Sequence, residues 1–138
     1  MIRQKITLKD YDDWEIYAYY AVTTYYVDEI MEMLWNVGVD PENAETAYRN
    51  MTASKLDTGL CYSNHKQKKT VVVIAITSSA DEFLNSLVHE LTHACMHISS
   101  YFGLDVYGER YAYMIGSLCR EVYPNVKTLL CDHCRKHK

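Results

Sequence analysis

Residues 70 to 98, TVVVIAITSSADEFLNSLVHELTHACMHI, hold the decision about the fold. An apolar run gives way to a short polar break, and then to a long stretch in which histidines and a glutamate interrupt an apolar repeat. Val71 to Ile76 is uniformly apolar and mostly β-branched, the composition of a strand lying in a sheet with helices against it. The segment TSSADEF then starts a helix. Ser79 and Glu82 have the spacing of a capping box, and Asp81 puts negative charge in the first turn, where the helix dipole favours it. At about 100° per residue, Phe83, Leu84, Leu87, Val88, Leu91, Ala94, Cys95 and Ile98 fall within an arc of roughly 140°. His89 and His93 lie almost opposite the centre of that arc, so they are not core residues. They face either solvent or a site.

Working outward, LDTGLCYSNHKQKKTVVVIAIT reads as two extended runs joined by the polar stretch Asn64 to Lys69, a β-hairpin. Upstream, Tyr11 to Val37 has helical character and carries Trp14, Tyr17, Tyr20, Ile30, Leu34 and Trp35 as aromatic and aliphatic core. Gly38 ends it, and Asp40 with Pro41 begins a second helix in DPENAETAYRNM. Downstream, DVYGERYAYMIGSLCREV reads as a helix from about Tyr107 to Val122. The expected fold class is α+β: N-terminal helices, a β-hairpin or small sheet, and a histidine-bearing helix packed on a following helix.

The chain has 138 residues, 49% of them apolar, with two prolines and five glycines. That is one domain with a real core, undivided by linker, repeat or low-complexity stretch; residues 124 to 138 form a Cys/His tail. A net charge of −4 with mixed signs argues against nucleic acid or an anionic membrane as partner, since both require a basic surface. The N-terminus lacks the apolar core of a signal peptide, and Ile16 to Val27 is too short and polar to span a bilayer. A cytoplasmic protein is expected. Five cysteines without a secretory signal read as thiols or metal ligands rather than a disulfide framework. The assembly state is not legible.

The motif HELTH is His-Glu-x-x-His. Residues four apart on a helix stand one turn above each other, so His89 and His93 can direct ring nitrogens to a point about 2 Å from each, the reach of zinc. Glu90 is rotated about 100° from His89, which suits contact with a water better than ligation. A catalytic zinc usually has three protein ligands and an open position. His97 continues the face, but with three histidines spaced by four on a straight helix the outer pair lies about 12 Å apart. ACMHISS follows His93, without the glycine that bends the chain back in the spacing H-E-x-x-H-x-x-G-x-x-H, so His97 is expected to support the site or face solvent. Glu109 is the better third ligand. On a helix it shares a face with Ala112, Tyr113 and Gly116, small enough in part to permit close approach. The alternative is a first-turn carboxylate that serves only the helix dipole.

With these residues the sequence resembles the zincin metallopeptidases of gluzincin type, which carry HExxH on one helix and a glutamate ligand on the next. GLCYSN, TSSADEFLNSLVHELTH and GERYAYMIG are similar to small zincin-like peptidases of phage and mobile elements, a resemblance covering most of the chain. It implies a minimal zincin-like core, zinc held by His89, His93 and Glu109, Glu90 as general base, and metal-assisted hydrolysis of a peptide or protein substrate. It also implies an edge strand that pairs with the substrate, a role expected of Val71 to Thr77. Tyr111 or Tyr113 is the candidate transition-state donor. Thermolysin-type enzymes carry an Asp where this chain has Tyr113, which leaves the support of His89 unassigned. The alternative function is a zinc-binding module that recognises a partner without turnover.

The tail LLCDHCRKHK raises a separate expectation. Cys131-x-x-Cys134 is half of a tetrahedral zinc site to which His133 or His137 could add a ligand, with Cys61, His65, Cys95 or Cys119 as the fourth. A redox dithiol and an inert reduced tail are the alternatives.

Overall fold

The computed structural model describes residues 1–53 and 59–136. Strands β1 (Ile2–Leu8), β2 (Trp14–Val22), β3 (Gly59–Asn64) and β4 (Lys69–Ala75) form one mixed sheet in the order β1-β2-β4-β3. The β1–β2 and β3–β4 pairs are antiparallel and β2–β4 is parallel. Helices α1 (Val27–Asn36) and α2 (Pro41–Thr52) follow β2. Helices α3 (Ala80–Phe102), α4 (Glu109–Val126) and the short α5 (Asp132–Lys136) follow β4. The fold is α+β, and no helix among the described residues is long and apolar enough to cross a membrane.

Val71 to Ile74 are all shut off from water, as an apolar run requires of a strand covered on both faces, while Ile76, at the end of that run and beyond β4, is exposed. The alternation of side chains along a strand sorts them into two cores. Tyr19, Val71 and Val73 pack with Val27, Ile30, Leu34, Ala44, Ala47 and Met51 of α1 and α2. Trp14, Ile16, Ala18, Tyr20, Val72 and Ile74 pack on the other face with Phe83, Leu87, Leu91, Ala94, Ile98, Met114, Leu118 and Val122 of α3 and α4. Ala21, at φ +58°, interrupts the β2–β4 register between Tyr20 and Val22. The extra residue reverses the alternation, so Val22 joins Tyr19 in the α1–α2 core.

Three expectations change here. The helix from Tyr11 to Val37 is a strand for much of its length, with the helix confined to Val27–Asn36. Its aromatic and β-branched residues bury with period two: Trp14, Ile16, Ala18 and Tyr20 on one face, with Tyr17 and Tyr19 toward the other. The fold therefore opens on two strands rather than N-terminal helices, and Trp35 is exposed. Second, the strand expected to be an edge is interior, and its hairpin partner β3 is the edge. Third, Leu84 and Val88 are exposed although the helical arc included them. The hairpin and the Asp40 cap, whose carboxylate accepts from the Asn43 N–H at 3.1 Å, stand as read.

The start of α3 is capped from far away in sequence. The Ser79 hydroxyl donates to Asp81, and its oxygen accepts no capping hydrogen bond from the helix N–H groups. The Ala80 N–H instead donates to Asp132 Oδ1 at 2.9 Å. Arg135 adds hydrogen bonds to the carbonyls of Thr77 and Leu129. These contacts tie α5 to the entry of the histidine-bearing helix. Asp132→Ala should lower stability by about 1 kcal/mol, the usual cost of losing a helix cap, and thermal denaturation should show a midpoint roughly 3 °C lower. An unchanged midpoint would mean that the tail does not hold α3.

Candidate metal centre

Helix α3 lies against the α4-side face of the sheet and reaches the edge strand β3. On that face β3 presents Gly59, Cys61 and Ser63, three small residues, while Leu60 and Tyr62 pack toward α1 and α2. Gly59 is required twice over. Its φ of +149° is a conformation that side chains disfavour, and a Cβ there would stand 1.9 Å from the Val73 carbonyl oxygen and 3.2 Å from Glu90 Cγ. The missing side chain is the space beside which Glu90 lies.

Glu90 is only 4% exposed, while His89 and His93, on the outward side of α3, are exposed. The ligand-type atoms of His89, Glu90 and His93 nevertheless all lie within 4.8 Å of one another. The two imidazole rings stand edge to face with centroids 4.9 Å apart. Ligand atoms about 2 Å from a tetrahedral ion are a little over 3 Å apart, and the three groups here lie within 4.8 Å of one another. The donor set, two imidazoles with a carboxylate beside them, suits zinc. Among the described residues this is the one place where three or more His, Cys, Asp or Glu side chains converge in this way.

Glu109 begins α4, where it is exposed and stands outside that group. The face it shares with Ala112, Tyr113 and Gly116 is also exposed, whereas α4 turns Met114, Leu118, Val122 and Val126 inward. The small residues therefore do not form the inward face of α4. Tyr113 is 70% exposed and lines a groove with Thr7, Leu8 and Tyr11 beside β1, the edge opposite β3. Tyr111 is partly buried against the core, and burial, with Cys95 nearby, raises its phenol pKa.

The tail cysteines belong to no such convergence among the described residues. Cys131 accepts hydrogen bonds from the Cys134 backbone and side chain, which hold its pKa below the usual thiol value and raise that of Cys134. Cys61 and Cys95 lie in or against the α3–α4 core. Burial pushes the Cys95 thiol up to about 12 and raises that of Cys61 too, with the Glu90 charge as a further cause. Neither is a ready thiolate. His137 lies outside the described residues.

His97 is the residue whose placement the sequence conveyed least. It is partly buried, and its Nδ1 lies 2.7 Å from Ser63 Oγ and 3.9 Å from Cys61 Sγ. Burial, then the neighbouring His93 and His65, lower its pKa. Ser63 Oγ is 2.7 Å from Thr70 Oγ1, which accepts from the Trp14 indole N–H at 2.9 Å. The signal was present in GLCYSN, where every second residue is small or polar in a strand whose Leu60 and Tyr62 are half-buried toward α1 and α2. Compared with family models, with curated proteins and with solved structures, the chain has no match in any of the three.

Proposed function

We propose that this chain is a zinc-dependent peptide-bond hydrolase of minimal gluzincin type. His89 and His93 hold the ion, Glu109 completes the ligand set from the start of α4, and Glu90 is the general base. The observation that carries the reading is the convergence of His89, Glu90 and His93, with Glu90 alone of the three buried, beside the edge strand. Two exposed imidazoles and a buried carboxylate divide ligation from proton transfer.

Zinc bound there supplies Lewis acidity, which polarises a carbonyl and acidifies water. Glu90 takes the proton of the attacking water and returns it to the leaving amine, the exchange a carboxylate performs when held within hydrogen-bond reach. Gly59 supports that role by leaving the Glu90 side chain its place beside the strand. The outer edge of β3, which pairs with no strand among the described residues, offers main-chain groups to an extended peptide by strand addition. Cys61 and Ser63 direct their side chains to the α3 side of that edge.

The test is cleavage of a mixed peptide pool by zinc-loaded protein, read by mass spectrometry, with Glu90→Gln as comparison. Wild type should cleave. The variant should keep its zinc and lose about a hundredfold or more in rate, the usual share of a general base. A zinc-loaded wild type that cuts nothing would make the site a recognition module, and cleavage unaffected by Glu90→Gln would remove the assigned base.

A further inference from the structure

Trp14, Thr70, Ser63 and His97 form a hydrogen-bonded chain from the interior of the sheet to the histidine face of α3. Its direction follows from what each group can do. An indole N–H only donates, so Thr70 Oγ1 accepts at 2.9 Å. Thr70 is 0% exposed, and its own hydroxyl hydrogen needs an acceptor, because a buried donor without a partner is costly. Ser63 Oγ, 2.7 Å away, is the acceptor the fold provides. Ser63 has its own hydroxyl hydrogen to place, and His97 Nδ1, also at 2.7 Å, is the acceptor within reach. A neutral imidazole that accepts at Nδ1 carries its hydrogen at Nε2. The core therefore selects one tautomer of a partly exposed ring. Among the described residues that Nε2–H has no hydrogen-bond partner.

Position gives this donor a use. His97 is the seventh residue after Glu90, so the two lie within about 20° of each other around α3 and about 10 Å apart along it. Strand β3 runs beside both, with Gly59 against Glu90 and Ser63 against His97. An extended peptide along β3 advances about 3.3 Å per residue. We propose that His97 is a substrate-binding residue whose Nε2–H, fixed by the Trp14–Thr70–Ser63 chain, donates to a peptide carbonyl about three residues from the bond that is cut. The inference rests on the hydrolase reading above and assigns a specificity role that reading leaves unfilled. At that distance the donor anchors the peptide rather than stabilising the reacting carbonyl.

The test uses zinc-loaded protein and uncleavable probes: acetohydroxamate, and capped peptide hydroxamates lengthened one residue at a time to either side of the hydroxamate. In one of the two series, affinity should step up by about three- to tenfold near the third residue, the worth of one hydrogen bond. His97→Phe should erase the step and leave acetohydroxamate affinity and zinc content unchanged. Ser63→Ala, which keeps the imidazole but frees its tautomer, should weaken the step. Nitrogen-15 spectra of labelled histidine should show His97 as the Nε2–H tautomer in wild type. A series with no step, a step that survives His97→Phe, or an Nδ1–H tautomer would overturn the proposal. Failure of acetohydroxamate itself to bind would instead bring down the zinc site, and this inference with it.

Discussion

Zinc should be present at about one ion per chain in protein purified without added metal, and absent from His89→Ala and His93→Ala, because a catalytic site built on three protein ligands does not hold its ion on two. Elemental analysis reads this directly. Glu109→Ala should lose zinc as well, since the exposed carboxylate at the start of α4 is the third ligand of the proposed set, and zinc retained in that variant would remove Glu109 from it. The double variant Cys131→Ser/Cys134→Ser should keep its zinc, since neither cysteine joins the convergence around His89. The reverse pattern, zinc kept in His89→Ala and lost with the cysteines, would move the metal to the tail and end the hydrolase reading.

Gly59→Ala should be the most damaging single-methyl change in the protein. The added carbon would meet a backbone carbonyl oxygen at 1.9 Å, and the backbone of β4, held between β2 and β3, cannot step aside as a flexible side chain does. The variant also has to hold φ +149° with a side chain. A loss of about 3 kcal/mol or more is expected from overpacking and backbone strain together, which lowers the midpoint of thermal denaturation by roughly 10 °C in a domain of this size. Gly116→Ala is the control. No atom lies within 4 Å of a Cβ built there, and in a helix the change should stabilise by about 0.5 to 1 kcal/mol. If both variants melt with wild type, β3 does not pack as described and the support it gives Glu90 falls with it.

The parts of the fold that were legible in the sequence are those governed by local chemistry. Asp40 and Pro41 announce α2, Asn64 to Lys69 announces a hairpin turn, and the β-branched run of β4 announces burial on both faces. What misled was Trp14 to Val22, where tyrosines and alanines fit either a helix or a strand by composition. The pairing with β1 and β4 decided between them, and pairing partners are remote in sequence. The same limit hid the edge: an apolar strand shows that it is covered, not which neighbour stands outside it. At the candidate site, His89, Glu90 and His93 were legible because one helical turn brings them together. The partners of Glu90 and His97 were not, because Gly59 and Ser63 arrive from another strand.

The parallel joining of β2 to β4 also sets a timetable. Two parallel strands cannot be linked by a tight turn, and here the whole stretch from Val22 to Lys69, with α1, α2 and β3, intervenes. As the chain leaves the ribosome, the β1–β2 hairpin and the two helices after it are available early, but one side of β2 stays bare until β4 has been synthesised. Contacts so distant in sequence are slow to form, and an unpaired strand flank is where newly made chains associate wrongly. The histidine helix follows β4 directly in sequence and lands on a sheet that this strand has just closed. The seat of Glu90 beside Gly59 therefore exists only once the sheet is complete.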